Sequence, residues 1–485
     1  MTTIATATLP KNVQYPQYDR SQLRSRIVHF GFGAFHRAHQ ALFTDRVLNN
    51  VGGDWGICEI SLFSGDTLMS QLREQDHLFT VLEKGADGNQ PIVIGAVHEC
   101  LNARLDSLAA IIEKFCEPQV AIVSLTITEK GYCIDPATGK LDPTHPRIIH
   151  DLENPTLPQS APGILVEALA RRRERGLPPF TVLSCDNIPD NGHVVKNAVL
   201  GMAEKRSPAL ADWIADNVSF PGTMVDRIVP AATPESLAEI AAVLGVDDPC
   251  AISCEPFIQW VVEDHFVAGR PAWETAGVQM TDDVLPWEQM KLRMLNGSHS
   301  FLAWLGYLAG HAHISDCMRD DVFRRAARQL MLDEQAPTLT ITGVDLLAYA
   351  DSLIARFSNP ALKHRTCKSP WTVARSCPSA CSMASAYIWR ATAVGHCWLS
   401  AWPAGCATSA ARTTPVRRST CAIRWSTRSG CGWPRAMSSS ASTPCWGWRK
   451  YLAATCRTTP SLSPGSAPPG NSWRRTAPAR PSPAR

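Results

Sequence analysis

No acidic residue follows Asp351. All 44 Asp and Glu side chains of the 485-residue chain lie at or before that position, whereas 16 of its 47 Lys and Arg lie after Thr366. Residues 1–366 therefore carry 31 basic against 44 acidic side chains, a net of −13, while residues 367–485 carry +16. The overall charge of +3 averages two unlike parts. The basic part also holds 9 of the 17 cysteines and 9 of the 15 tryptophans, which is not the composition of an ordinary folded domain.

Other absences exclude other classes. Cys367, Cys377, Cys381, Cys397 and Cys406 form no CxxC pair, which argues against a zinc or disulfide module. No stretch approaches the roughly 18 uninterrupted apolar residues of a membrane span, and the opening MTTIATATLPKNVQYPQ has neither a basic start nor an apolar core. A cytoplasmic protein with no membrane partner is expected. Its 45% hydrophobic content is ordinary for a globular enzyme, and its length allows two or three domains.

The tail after Thr366 has its basic residues scattered singly among nine tryptophans, unlike a solvated nucleic-acid-binding arm. Its Arg, Ala, Pro, Ser, Cys, Gly and Trp are what a GC-rich gene yields when read out of frame. Written with plausible codons and re-read from the third base of the Thr366 codon, TCKSPWTVARSCPSAC becomes LQIAMDGSQKLPQRM. WLSAWPAGCATS, shifted the same way, gives ERLAGWMRYV. A frameshift is the expected origin of 367–485, which is set aside as out-of-frame chain, disordered or misfolded, with no nucleic-acid partner.

Within 1–366, RIVHF reads as a strand, GFGAF as a turn, HRAHQALFTDRVLNN as a helix and WGICEISL as a second strand. This opens a doubly wound nucleotide-binding sheet. Gly31 permits the tight turn, Gly33 lets backbone approach a pyrophosphate, and the helix N-terminus adds N–H groups and dipole. An acid after the second strand would hold a ribose diol; Asp66 is the first candidate and Glu59 the second. FTVLEKG, AIVSLTITEKGY and TVLSCDNIP continue the alternation of strands. His36 and His39 are three apart, but with no acidic or cysteine partner nearby a phosphate-binding or structural role is favoured over a metal, and none is expected.

Downstream, KLRMLNGSHSFLAWLGYLAG places Lys291, Asn296 and His299 at helical spacing. At about 100° per residue the latter two lie roughly 140° and 80° around from the lysine, so one broad face can hold all three. A desolvated lysine transfers protons near neutrality, and an amide N–H can hold an alkoxide. The spacing alone favours a solvent-facing lysine, an asparagine near a helix start and a core histidine. Asp186 and Asn187 end a strand where such sheets place ligands. Asp226 and Arg227 lie between apolar neighbours, as buried ion-paired groups or as site residues.

Together GFGAFHRAHQ, SLTITEKGY, SCDNIPDNG, TMVDRIVPAATP, CEPFIQWVVEDHF and KLRMLNGSHSFLAWLGYL resemble the polyol-specific long-chain dehydrogenases, the family that includes mannitol dehydrogenase. The resemblance covers essentially all of 1–366 and extends through HDLENPT and ALKHRT into the re-read DGSQKLPQR and AGWMRYV. It implies an α/β Rossmann-like N-terminal domain over 1–280 and a mostly α-helical C-terminal domain that starts at 281 and is cut off at 366. The implied chemistry is NAD(H)-dependent and zinc-independent, on a small sugar acid or polyol. Fructuronate and mannonate, in hexuronate catabolism, come first, then mannitol or arabinitol; a catalytically impaired NAD-binding remnant is the third reading.

The resemblance also implies roles. Gly31, Phe32, Gly33, Ala34, Phe35, His36 and Arg37 would form the pyrophosphate turn. Lys291 would be the general acid/base, Asn187 and Asn296 would hold the reacting oxygen, and His299 would orient a neighbouring hydroxyl. Asp226 would line the substrate pocket. A uronate calls for an arginine on its carboxylate, with Arg365 and Arg293 as candidates. The family's DGS-x-K segment is absent from the printed chain, so cofactor binding should outlast catalysis and apolar surface on 285–366 should lie uncovered. A monomer suffices for all of this.

Overall fold

The computed structural model describes residues 2–62, 64–85, 88–360 and 364–366. The tail assigned to a frameshift lies outside the described residues, as does the DGS-x-K question. Among the described residues no helix is long and apolar enough to cross a membrane.

Eleven strands are described: β1 (Arg24–Phe30), β2 (Trp55–Ser61), β3 (Phe79–Gly85), β4 (Gly88–Ile94), β5 (Val97–Asn102), β6 (Ile122–Leu125), β7 (Thr181–Ser184), β8 (Thr223–Asp226), β9 (Ile252–Cys254), β10 (Gln259–Glu263) and β11 (Gln279–Thr281). Five of them form an all-parallel sheet in the order β5-β2-β1-β6-β7. β1, β6 and β7 are short apolar runs with both faces covered, as strands of a parallel sheet must be. The chain steps from β1 to one side for β2 and to the other for β6, so the sheet reverses its winding at β1 and β6. Crevices for ligands open at such a reversal.

FTVLEKG departs from the expected alternation. As β3 it pairs antiparallel with β4 and parallel with β9, in a separate three-stranded sheet. A third sheet, β11-β10-β8, carries Asp226 at the end of β8.

The helix expected after the glycine turn is broken in two, Ala34–Arg37 and Gln40–Val51. The break falls at His39 (φ −128°, ψ −93°), whose Nε2 lies 3.0 Å from the Gln259 carbonyl and whose ring stacks on Phe35 and meets Trp260 edge-on. Tertiary contacts override the 3.6-residue period here. A four-residue helix has little dipole, so the turn must receive an anion with its own N–H groups.

The helical part runs from Leu285 to Ser358 around a core of Met290, Met294, Leu302, Cys317, Leu353 and Phe357. Lys291–Gly297 within it is π-helical, between α-helical Leu285–Met290 and Ser298–Leu308. Tyr307 is 47% and Leu308 70% exposed.

Candidate active site

Gly31 ends β1 at φ +108°, and a Cβ there would stand 2.5 Å from the Thr126 carbonyl at the end of β6. Only glycine allows so close a turn. At Gly33 an added Cβ would meet nothing nearer than 3.8 Å, so its missing side chain leaves open space where a pyrophosphate can approach the backbone. Gly33 is exposed, Ala34 and Phe35 are half-buried, and Phe32 is buried edge-on against Phe79.

The side chains of His36 and Arg37 correct their expected role. His36 is 1% exposed and bonded to Glu59 at 2.6 Å, and Arg37 donates to the carbonyls of Gly33 and Cys250. Both are occupied inside the protein, so this pair can serve a cofactor through backbone alone. Glu59, fully buried beneath them, is thereby removed as a ribose ligand. Asp66 is left, half-buried in the first turn of the helix Asp66–Glu74 with Arg104 at 3.7 Å.

Lys291 is 6% exposed, and its Nζ donates to Asn187 Oδ1 at 2.6 Å and to the Val225 carbonyl at 2.5 Å. Asn187 follows β7 and Val225 lies in β8, so two sheets hold the lysine. With Oδ1 bound to Lys291, the Asn187 amide N–H₂ is the end available to a substrate oxygen. The π-helical register, with i→i+5 bonding, brings Asn296 nearer to the face of Lys291 than the roughly 140° offset expected of an α-helix. Asn187, Lys291, Asn296, Glu288 and the β8 backbone line one small cleft. Burial raises the Glu288 carboxyl above the usual range. Sequence reasoning passed over Glu288, although its place three residues before Lys291 was a usable signal.

Asp186 anchors the loop after β6 by accepting from the backbone N–H groups of Ile127 and Thr128 and from the Tyr132 hydroxyl. Thr128 is thereby held at φ +64°, a sparsely populated region for a β-branched residue.

Asp226 is ion-paired, but not with Arg227. Both its oxygens accept from Arg356, at 2.7 and 3.0 Å, and the same guanidinium makes a second fork to Glu255 at 3.1 and 2.8 Å while stacking over Phe257. Arg227 turns instead to Glu83 and to the Ala38 and Glu255 carbonyls. Beside this group the Tyr349 hydroxyl is buried.

His299 Nε2 lies 3.2 Å from His364 Nδ1, and burial beside that second imidazole brings its pKa down to about 3, so it is neutral. The arginines named for a carboxylate lie elsewhere: Arg293 donates to Thr338, and Arg365 is exposed in an isolated bridge with His313. Arg356, which holds Asp226 at the end of β8, was not singled out in the sequence.

Two family models match the chain, the mannitol dehydrogenase Rossmann domain over residues 25–275 and the mannitol dehydrogenase C-terminal domain over 283–376. An uncharacterized oxidoreductase of Escherichia coli (strain K12), YeiQ, is 81% identical over 374 residues, which are 77% of this chain and 76% of that one. The D-mannonate oxidoreductase of the same organism is 58% identical over 377 residues, again 77% and 76%. The structure of Pseudomonas fluorescens mannitol 2-dehydrogenase, a ternary complex with NAD and D-mannitol, superposes with a TM-score of 0.69 at 44% identity, covering 74% of each chain. With a glycine turn at the winding reversal, a buried lysine held across two sheets and these matches, the chain belongs to the mannitol dehydrogenase family of oxidoreductases.

Proposed function

We propose that this protein interconverts D-fructuronate and D-mannonate with NAD(H). The observation that carries a dehydrogenase reading is Lys291 Nζ held 2.6 Å from Asn187 in a cleft that Asn296 also lines. The cofactor, when bound, supplies or takes up a hydride. In the reducing direction the Lys291 ammonium protonates the developing alkoxide, and in the oxidising direction the amine takes that proton back. The Asn187 and Asn296 amides donate to the same oxygen, where charge develops. His299, neutral, orients an adjacent hydroxyl.

The choice of fructuronate rests on likeness to the D-mannonate oxidoreductase. A neutral polyol is the second reading, favoured by Arg356, whose forks already engage two carboxylates. Turnover of fructuronate against fructose with NADH separates them: preference for fructuronate is expected, and equal or better use of fructose overturns that choice.

Asp66 would accept from the adenosine ribose hydroxyls and repel a 2′-phosphate. Asp66→Ser should weaken NADH and strengthen NADPH binding in fluorescence titrations; an unchanged NADH/NADPH ratio removes Asp66 from this role. The frameshift reading predicts one missing base between the codons for residues 355 and 375. Restoring it should raise fructuronate turnover over that of the printed chain, and an intact genomic frame through residue 485 would refute it.

A further inference from the structure

Beneath the glycine turn lies a buried polar cluster that the proposed chemistry does not use. Strand register places Glu59, His29 and Ser124 in one row across β2, β1 and β6, and His36 and Gln40 close over them from the helices. All five are at most 1% exposed. Three of their ligating groups, on His29, His36 and Glu59, lie within 4.8 Å of one another. A metal does not suit them, however: the two imidazoles stack at 3.4 Å and 13°, so their lone pairs run nearly parallel and no single ion lies in both ring planes.

The hydrogen bonds have a direction instead. His29 is held well below its usual pKa by burial, so it is neutral and carries one ring proton. Its Nε2 is 3.1 Å from the Gly31 carbonyl, which can only accept, and 2.9 Å from the Thr126 hydroxyl, whose own proton goes to that carbonyl, so the ring proton belongs on Nε2, shared between these two oxygens, and Nδ1 accepts from Ser124 Oγ at 2.7 Å. The Gln40 amide oxygen faces Ser124 Oγ at 2.8 Å, and with the hydroxyl proton given to His29 this contact needs an amide N–H in its place. Turning the Gln40 amide supplies it and gives a partner to Nε2, which otherwise has none among the described residues. The Thr126 hydroxyl adds a second donor to Gly31 O at 3.0 Å, and Gly33 N–H a third at 2.6 Å.

A peptide unit is planar and trans, so fixing the Gly31 carbonyl toward the sheet aims the Phe32 N–H the opposite way, into the crevice. We propose that Gln40, Ser124, His29 and Thr126 form a buried donor relay that positions the dinucleotide turn by orienting the Gly31–Phe32 peptide. His36 backs the relay by stacking on His29. Burial lifts Glu59 to about 7 and lowers His36 to about 3, so the proton this pair shares rests on the Glu59 carboxyl, which donates it to His36 Nε2. Apolar side chains would fill this space at lower cost, since buried polar groups with unmet partners are destabilising. What apolar groups cannot do is hold a carbonyl.

This inference rests on the turn binding NAD(H). The test is NADH affinity by fluorescence titration and thermal melting of the full chain, unaltered and as Ser124→Ala, Thr126→Val and Thr126→Ser. Ser124→Ala and Thr126→Val should each raise the Kd by about tenfold, the ratio corresponding to 1.4 kcal/mol, and Thr126→Ser should restore it. Folded Ser124→Ala and Thr126→Val proteins that bind NADH as the unaltered chain does would overturn the relay, even with lowered melting temperatures. If one of the two does not fold, the other decides. No NADH binding by the folded, unaltered chain would overturn the cofactor reading as well.

Discussion

Lys291→Ala should lower kcat for fructuronate reduction by about 10²- to 10⁴-fold, the range expected when a positioned proton donor is lost, with NADH binding unchanged. Lys291 reaches its position from a helix through the β7 and β8 ends, and its Nζ makes two short hydrogen bonds that fix its aim. Alanine removes the proton source and also frees Asn187 to rotate, so the amide that should meet the alkoxide loses its orientation. The effect belongs in kcat rather than KM, because both contributions grow as charge develops on the oxygen. Lys291→Arg should not rescue: a guanidinium stays protonated, cannot take the proton back in mannonate oxidation and brings a planar fork into a site shaped for an ammonium. Single-turnover rates at saturating NADH are the measurement. A kcat within a few-fold of the unaltered protein would move the acid/base role to another group, with Glu288 first in line.

The parts of this site that could be read in the sequence are those made by local signals. The β1 turn and β2 carry glycine spacing and apolar runs, and Asn187 ends a strand pattern, so all three were placed correctly. What could not be read came from contacts between residues far apart in sequence. The period of 3.6 residues runs through HRAHQALF, yet His39 breaks the helix to reach the Gln259 carbonyl, 220 residues away. The same period put Asn296 off to the side of Lys291, because a π-helical register leaves no mark in hydrophobic spacing. His36 read as a phosphate-binding or structural residue and Glu59 as the second candidate for the ribose, after Asp66. Their mutual pairing favours the structural role for both, and only the alignment of β1 with β2 reveals it. Asp226 was legible as a buried acid, but the candidate cation beside it in sequence, Arg227, was the wrong one.

Arg356→Met should be the most destabilising single change in the helical part. Arg356 sits in ARFSNP, near the end of the helix Leu346–Ser358, where an arginine ordinarily faces water, yet it reaches two carboxylates 101 and 130 residues earlier. Removing it leaves Asp226 and Glu255 buried and unpaired, a loss of about 3–5 kcal/mol out of the roughly 5–15 kcal/mol that holds a typical protein folded. The deficit carries its own pH signature. Burial already raises Glu255 above the usual carboxylate range, and Arg356 opposes that rise. Without the arginine the folded-state pKa climbs further above the unfolded value, so the folded state favours the protonated acid. The stability lost to substitution is then largest at neutral pH and shrinks as pH falls toward the carboxylate range. Urea unfolding of the unaltered and Arg356→Met proteins at neutral and mildly acidic pH checks both points. A deficit below about 1 kcal/mol, the scale of an exposed pair, or one that grows on acidification, would show that this guanidinium is not the tie between the helical part and β8. Asp226→Asn combined with Glu255→Gln should recover part of the lost stability in the Arg356→Met background, because the amides remove the buried charge that the methionine cannot neutralise.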